Sequence, residues 1–154
     1  MVSVTREVWS MPRGGRECSI ADALSVVGER WSLLAMREIL LGVRRFDLIV
    51  HATGASRDIL TSRLRKLVER GVLERVQYEQ SPPRYEYVPT EAGRALGPIL
   101  LSLMEWGDRY VRQGSAPTAF ACECGSELHP VTVCGECGAP VSAEARVTRL
   151  GAVR

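Results

Sequence analysis

The sequence predicts a mainly α fold with one small β hairpin. Three observations carry that prediction. Five stretches place apolar residues at helical spacing, and most of them close on a glycine. One pair of short alternating stretches flanks a Ser-Pro-Pro turn. A cysteine-rich segment follows the last helical stretch and has no periodicity of its own.

The chain has 154 residues, enough for one ordinary domain or a small domain with an appendage. Hydrophobic residues make up 45% and charged residues 25%, which excludes bulk disorder and collagen-like repeats. No apolar run approaches the roughly 20 residues that cross a bilayer, and the first residues lack the apolar core of a signal peptide. A cytoplasmic protein with no membrane partner is therefore expected, in a compartment where clustered thiols stay reduced.

Residues 1–17 are polar, contain Pro12 and Gly14-Gly15, and read as an N-terminal arm. In "CSIADALSVVGERW", Ile20, Ala23, Leu24 and Val27 recur at helical spacing, and Gly28 ends the helix. "WSLLAMREILLG" predicts a second helix with Leu33, Leu34, Arg37 and Leu41 on one stripe, closed by Gly42. A short third helix fits "RRFDLIVHAT" and buries Phe46, Ile49 and Val50. After Gly54, Ser56 is a good N-cap for "RDILTSRLRKLVERG", whose inner stripe is Leu60, Leu64, Leu67 and Val68 and whose stop is Gly71.

Next, "VLERVQYEQ" and "RYEYVPT" alternate as strands, with Leu73, Val76 and Tyr78 against Tyr85, Tyr87 and Val88. A long helix then spans 90–113, opened by Thr90, with Leu96, Leu100, Leu103, Trp106 and Tyr110 along one side. Trp106 and Tyr110 either close the intramolecular core or contact a second copy of the chain. The cysteine segment occupies 114–143 and a charged tail 144–154.

A short helix, a tight glycine turn and a capped basic helix form a helix-turn-helix unit, and the hairpin behind it makes the unit winged. Net charge is only +2, but residues 57–70 hold Arg57, Arg63, Arg65, Lys66 and Arg70 against Asp58 and Glu69. A basic face concentrated on one helix suits phosphate contact with double-stranded DNA. With the leucine stripe inward, Asp58, Ser62, Arg65 and Glu69 point outward, flanked by Thr61 and Lys66. Hydroxyls and guanidinium on the first turns suit base edges in the major groove. Ser56 and the free amides beside it suit a phosphate, and Arg84 beyond the wing-tip prolines suits a neighbouring backbone or minor groove. One helix reads too little DNA for useful specificity, so a homodimer on repeated half-sites is expected.

These residues closely resemble the HxlR family of bacterial winged helix-turn-helix transcriptional regulators, from Cys18 to about Arg112. The resemblance rests on Gly28-Glu29-Arg30-Trp31, Gly42 with Arg45-Phe46, Leu60 with Leu64 and Leu67, Gly71, the paired prolines before Tyr87, Thr90 with Gly93, and "MEWGD". It implies a homodimeric, sequence-specific DNA-binding protein, often a repressor, with the fourth helix in the major groove. Carried onto this chain, it points to Ser56, Arg57, Thr61, Ser62 and Arg65 in the groove and to Arg45 and Arg84 on the backbone. Some members sense electrophiles or oxidants through a cysteine where Cys18 stands here, so Cys18 is a candidate redox sensor and a small molecule or electrophile a candidate effector. Cys18 otherwise reads as a small residue packed beneath the first helix.

Four of the five cysteines lie in "CECGSELHPVTVCGEC", as Cys122-x-Cys124 and Cys134-x-x-Cys137 with nine residues between the pairs. Gly125 and Gly138 each follow the second cysteine of a pair, as in the knuckles of a zinc ribbon. Too few apolar residues are present for the segment to fold alone, so a metal would supply free energy. One zinc per chain is expected, held by Cys124, Cys134, Cys137 and Cys122, with His129 the alternative because the first pair is one residue tight. A subset of HxlR-like regulators carries a similar appendage.

No acid/base constellation accompanies the cysteines, so no enzyme is expected. The alternatives to a regulator are a redox or metal-binding protein using the cysteine cluster on a helical scaffold, and an adaptor using the winged fold to bind protein.

Overall fold

In the computed structural model the structure describes residues 18–142 and 144; the N-terminal arm and nearly all of the charged tail lie outside the described residues. Five helices and one antiparallel hairpin follow in the order α1 (Ser19–Val27), α2 (Arg30–Leu40), α3 (Phe46–Thr53), α4 (Arg57–Glu69), β1 (Leu73–Gln80), β2 (Pro83–Pro89) and α5 (Glu91–Tyr110). The chain divides into two compact units, one through Gly93 and one from Arg94 onward. The division falls inside α5, so most of the helix expected to mediate dimerisation clusters with the cysteine segment.

The first unit is built around α4. Leu60, Leu64 and Leu67 are fully buried, and they meet Ala35, Met36 and Ile39 of α2, Ile49 of α3 and Leu73 of β1 in one core. Each fully buried leucine contributes about 1.5–3 kcal/mol of transfer free energy. Val68, placed on the same stripe by sequence, is only half-buried, as is Phe46.

The inner face of α2 differs from the expected one. Its buried residues are Ser32, Ala35, Met36 and Ile39, while Arg37 and Leu41 are exposed. The exposed Arg30 and Arg37 lie on the side of α2 opposite the buried set, so the stripe expected through Leu33, Leu34, Arg37 and Leu41 falls on the outward side of the helix.

Glycines end the helices where the chain must enter the left-handed region. Gly42 has φ 96° and Gly71 has φ 69°. Behind each, the next amide reaches back six residues' span, Val43 N–H to the Glu38 carbonyl and Val72 N–H to the Leu67 carbonyl, both at 2.9 Å. Thr90 then joins the end of the wing to that second turn. Its hydroxyl donates to the Gly71 carbonyl at 2.7 Å and accepts from the Gly93 amide at 3.2 Å, so it also caps α5. A Cβ at Gly93 would collide with the Val72 carbonyl, so the close approach there needs glycine.

The wing pairs Leu73 with Pro89, Arg75 with Tyr87 and Gln77 with Tyr85, and slips at a bulge between Gln77 and Glu79. A third piece of chain joins it, which the sequence reading missed. Arg45 bridges Glu86, and the Tyr87 amide donates to the Arg44 carbonyl at 2.9 Å. The α2–α3 linker is thus a one-bridge edge strand that ties the wing to the helix-turn-helix. No run of alternating residues marks so short a contact.

In the second unit α5 ends at Tyr110, three residues short of the expected 113. Trp106 and Tyr110 are 55% and 64% exposed, which removes the reading in which they close the intramolecular core.

Leu64→Ala is expected to cost about 2–5 kcal/mol, because it removes a fully buried side chain and leaves a cavity. Val76→Ala, on the exposed wing, is expected to stay within about 0.5 kcal/mol. Urea unfolding followed by circular dichroism measures both.

Candidate nucleic-acid interface

The turn between α3 and α4 sets the geometry of the basic helix. Gly54 adopts φ 72°, and its amide donates to the Val50 carbonyl at 2.9 Å. The Thr53 hydroxyl donates to the Ile49 carbonyl at 2.7 Å and accepts from the Ala55 amide at 3.3 Å. Ala55, small and 4% exposed, lets the two helices approach. Ser56 then caps α4, its hydroxyl accepting from the Ile59 amide at 3.4 Å. The amides of the first turn point to solvent with the positive end of the helix dipole, an arrangement that favours a phosphate.

Because Leu60, Leu64 and Leu67 face inward, Asp58, Thr61, Ser62, Arg65 and Glu69 are exposed, as expected, and Lys66 is half-buried. Ser62 and Arg65 lie one helical step apart on the outermost line, with Thr61 beside them. Arg63 turns sideways instead, toward Glu29 at 3.6 Å, and is part-buried.

The other three expected contacts are held differently. Arg57 pairs with Asp47 at 2.7 Å and lies 5.0 Å from the centre of the Phe46 ring. Arg45 sits at the N-cap of α3 with its guanidinium 4.7 Å over Tyr78. Arg84 pairs with Glu79 across the wing at 3.2 Å. The Arg57 and Arg84 pairs are solvent-exposed, and such pairs are worth about 0–1 kcal/mol, so a phosphate can replace the carboxylate at little cost. Between α4 and the wing lies a cleft lined by Phe46, Thr61, Arg75, Tyr85 and Tyr87. Sequence reasoning missed Arg75, whose alternating position in β1 looked like an ordinary exposed wing residue.

Cys18 is half-buried at the N-cap of α1, where its carbonyl accepts from the Asp22 amide at 3.0 Å. α1 buries none of its side chains, and Ile20 and Leu24 are 70% and 55% exposed.

The cysteine segment forms two small hairpins. In the first, the Cys122 amide donates to the Ser126 carbonyl at 2.8 Å and the Leu128 amide to the Phe120 carbonyl at 2.7 Å. In the second, the Cys134 amide donates to the Ala139 carbonyl and the Val141 amide to the Thr132 carbonyl, both at 2.8 Å. Gly125 and Gly138, at φ 86° and 70°, turn the chain just past each cysteine pair. The Ser126 amide and the Cys122 thiol hydrogen-bond to the Cys124 sulfur and hold its pKa below the usual thiol value. The Cys137 and Glu136 amides do the same for Cys134. Amides aimed at sulfur are what a metal-binding knuckle needs, and each pair brings its two sulfurs together. Among the described residues, no three His, Cys, Asp or Glu side chains gather around one point, so the two pairs do not converge on a common centre. His129 stands outside both pairs, with Nδ1 3.9 Å from Glu105 of α5.

Among the described residues no helix is long and apolar enough to cross a membrane. Known proteins agree with the architecture. The model of the HxlR-like helix-turn-helix family matches residues 26–115. The chain is 43% identical over 127 residues to MT3179, an HTH-type transcriptional regulator of Mycobacterium tuberculosis, covering 81% of this chain and 80% of that one. Among solved structures, PA1607, a candidate transcription factor, superposes with a TM-score of 0.75 at 34% identity, covering 86% of this chain and 94% of its own. The redox regulator HypR in its oxidised form superposes at 0.56 with 32% identity, covering 62% of this chain and all of its own. The winged helix-turn-helix, its basic outward face and these matches together place the chain in the HxlR-like family of DNA-binding transcriptional regulators.

Proposed function

We propose that the chain is a cytoplasmic, non-enzymatic repressor that binds operator DNA as a homodimer, with α4 in the major groove. The observation that carries this reading is the exposed line of Thr61, Ser62 and Arg65 on a helix whose opposite face is fully buried. In this reading Ser62 and Arg65 meet base edges. Ser56 and Arg57 hold a phosphate at the start of α4, and Arg45 and Arg84 follow the backbone on either side. Repression follows from two reading helices set about 34–36 Å apart, so that the dimer covers two half-sites and excludes polymerase from them. Arg65→Ala is expected to weaken binding to a selected site by about 1–3 kcal/mol and to relax base preference. Selection from a random duplex pool with wild type and variant measures this, and an unaltered preference removes Arg65 from the reading face.

Dimerisation is supported by apolar surface that one chain leaves uncovered. Ile99, Leu103, Trp106 and Tyr110 of α5 are each about half or more exposed, and Ile20 and Leu24 of α1 likewise. Trp106 and Tyr110 also touch, with ring centres 6.1 Å apart, making one aromatic patch. Light scattering is expected to give a dimer for the wild type at micromolar concentration and a folded monomer for Trp106→Glu. A monomeric wild type overturns the dimer.

The two cysteine hairpins are supported as halves of a structural zinc site by their glycine turns and by the amides aimed at Cys124 and Cys134. Cys122 fits the fourth position better than His129, since its thiol already touches Cys124. Zinc would supply cross-linking free energy to a segment with few apolar residues. Elemental analysis is expected to find one zinc per chain in wild type and His129→Ala, and less than half of that in Cys122→Ser. A folded segment free of metal overturns the site. An electrophile effector acting on the first unit would have Cys18 as its target, because the other four cysteines lie beyond residue 120.

A further inference from the structure

The cleft between α4 and the wing has a position and a chemistry that the reading helix does not explain. Its walls come from three parts of the first unit: Phe46 at the start of α3, Thr61 on α4, and Arg75, Tyr85 and Tyr87 of the wing. The register explains why it opens there. Leu73 and Pro89, paired at the base of the hairpin, are buried in the core. Two residues further out on the same face of the wing, Arg75 pairs with Tyr87, and Tyr85 comes next. The helix-facing side of the wing therefore passes from packed leucine to an arginine bracketed by phenols.

Arg75, like Arg45 on Tyr78, rests on a ring of the wing rather than on a carboxylate. Arg57, Arg63 and Arg84 each face a carboxylate. Among the described residues Arg75 makes no ion pair, and its guanidinium lies 3.6 Å over the Tyr85 ring. Stacking holds the flat group in place while leaving its edge N–H donors directed outward. The Thr61 hydroxyl supplies another donor on the facing wall. The result is a pre-positioned cation and hydroxyl in a cleft that no acid lines.

The occupant follows from the geometry of docking. A duplex that takes a helix in its major groove and a wing beside it must pass one sugar-phosphate strand between the two elements. The cleft is that gap. It has a volume of about 270 Å³ and stays open to solvent, whereas a small-molecule pocket encloses most of its ligand. An open slot suits a strand passing through. We propose that this cleft seats one backbone phosphate of the bound DNA, held by Arg75 and Thr61, with Tyr85 fixing the guanidinium. Thr61 is then a phosphate contact rather than a base reader, and Arg75 is a DNA-contacting residue.

The inference rests on the placement of α4 in the groove, and the test separates the two. Fluorescence anisotropy is measured with the full chain on a labelled mixed-sequence duplex and on a selected site, across a salt series. Arg75→Gln is expected to weaken both complexes by the same factor and to lower the slope of log affinity against log salt by about 1.8 for the dimer, about 0.9 for the phosphate lost in each half-site. Arg75→Lys is expected to restore the slope, because it restores the charge. Thr61→Val is expected to weaken both duplexes equally while leaving the slope unchanged. In ethylation interference, one phosphate per half-site is expected to lose its effect in Arg75→Gln. An unchanged slope with Arg75→Gln, or a change in base preference, overturns the phosphate seat while leaving the reading helix intact. A wild-type chain that binds no duplex overturns both.

Discussion

The fully buried line of Leu60, Leu64 and Leu67 is the constraint on which the first unit depends. It fixes the rotation of α4 about its own axis, and rotation decides which side chains face outward. A turn of 100° in the helix would exchange Arg65 for a neighbour. The same stripe sets the start of the wing, since the Val72 amide closes back onto the Leu67 carbonyl and Leu73 enters the core directly after it. Thr90 then fastens the far end of the wing to the Gly71 carbonyl. One apolar stripe therefore positions the exposed face of α4, the wing and the first turn of α5.

Around this frame the charges are held rather than left loose. Arg45 lies on Tyr78, Arg57 on Phe46 and Arg75 on Tyr85. A free arginine side chain loses up to about 2 kcal/mol of rotamer entropy when it is ordered, so a guanidinium already resting on a ring has less to lose on meeting a phosphate. The exposed pairs of Arg57 and Arg84 with Asp47 and Glu79 act in the same direction. They hold the side chains in place with bonds weak enough to exchange.

How legible this was in the sequence depended on the kind of signal. Where a glycine stop and an apolar stripe agreed, as for Gly54, Ser56 and the leucines of α4, element and inward face both followed from the residues. α2 shows the limit, because its leucines stand on both sides of the helix, and a stripe drawn through Leu33, Leu34 and Leu41 passes beside the exposed Arg30 and Arg37 and misses the face where Ala35, Met36 and Ile39 pack. The α2–α3 linker shows another limit, since the single bridge from Arg45 to Glu86 is a tertiary contact without a local pattern. Arg75 was invisible for a third reason. Its meaning lies in Tyr85 and Thr61, which are distant in sequence and meet it only through the hairpin register.

The cysteine segment was legible as two glycine-turned pairs, and its charge bears on the division of labour between the units. Residues 113–142 contain Glu123, Glu127 and Glu136 and no lysine or arginine. All three glutamates are exposed. The proposed zinc, if held by four thiolates, would add two further negative charges rather than remove any, since four thiolates outweigh one divalent cation. Such a surface repels a phosphate backbone at the separations where charges are felt, within a Debye length of about 8–10 Å. The near-neutral total of +2 therefore conceals a separation of charge, with the basic excess on α4 in the first unit and an acidic segment in the second. This separation supports the proposal that phosphate contact belongs to the first unit. The second unit offers apolar surface instead, on α5 and at Val131, Val133 and Val141, which are 78%, 50% and 44% exposed. Chemistry of that kind serves contact between proteins, and the exposed aromatic patch of Trp106 and Tyr110 lies in the same unit.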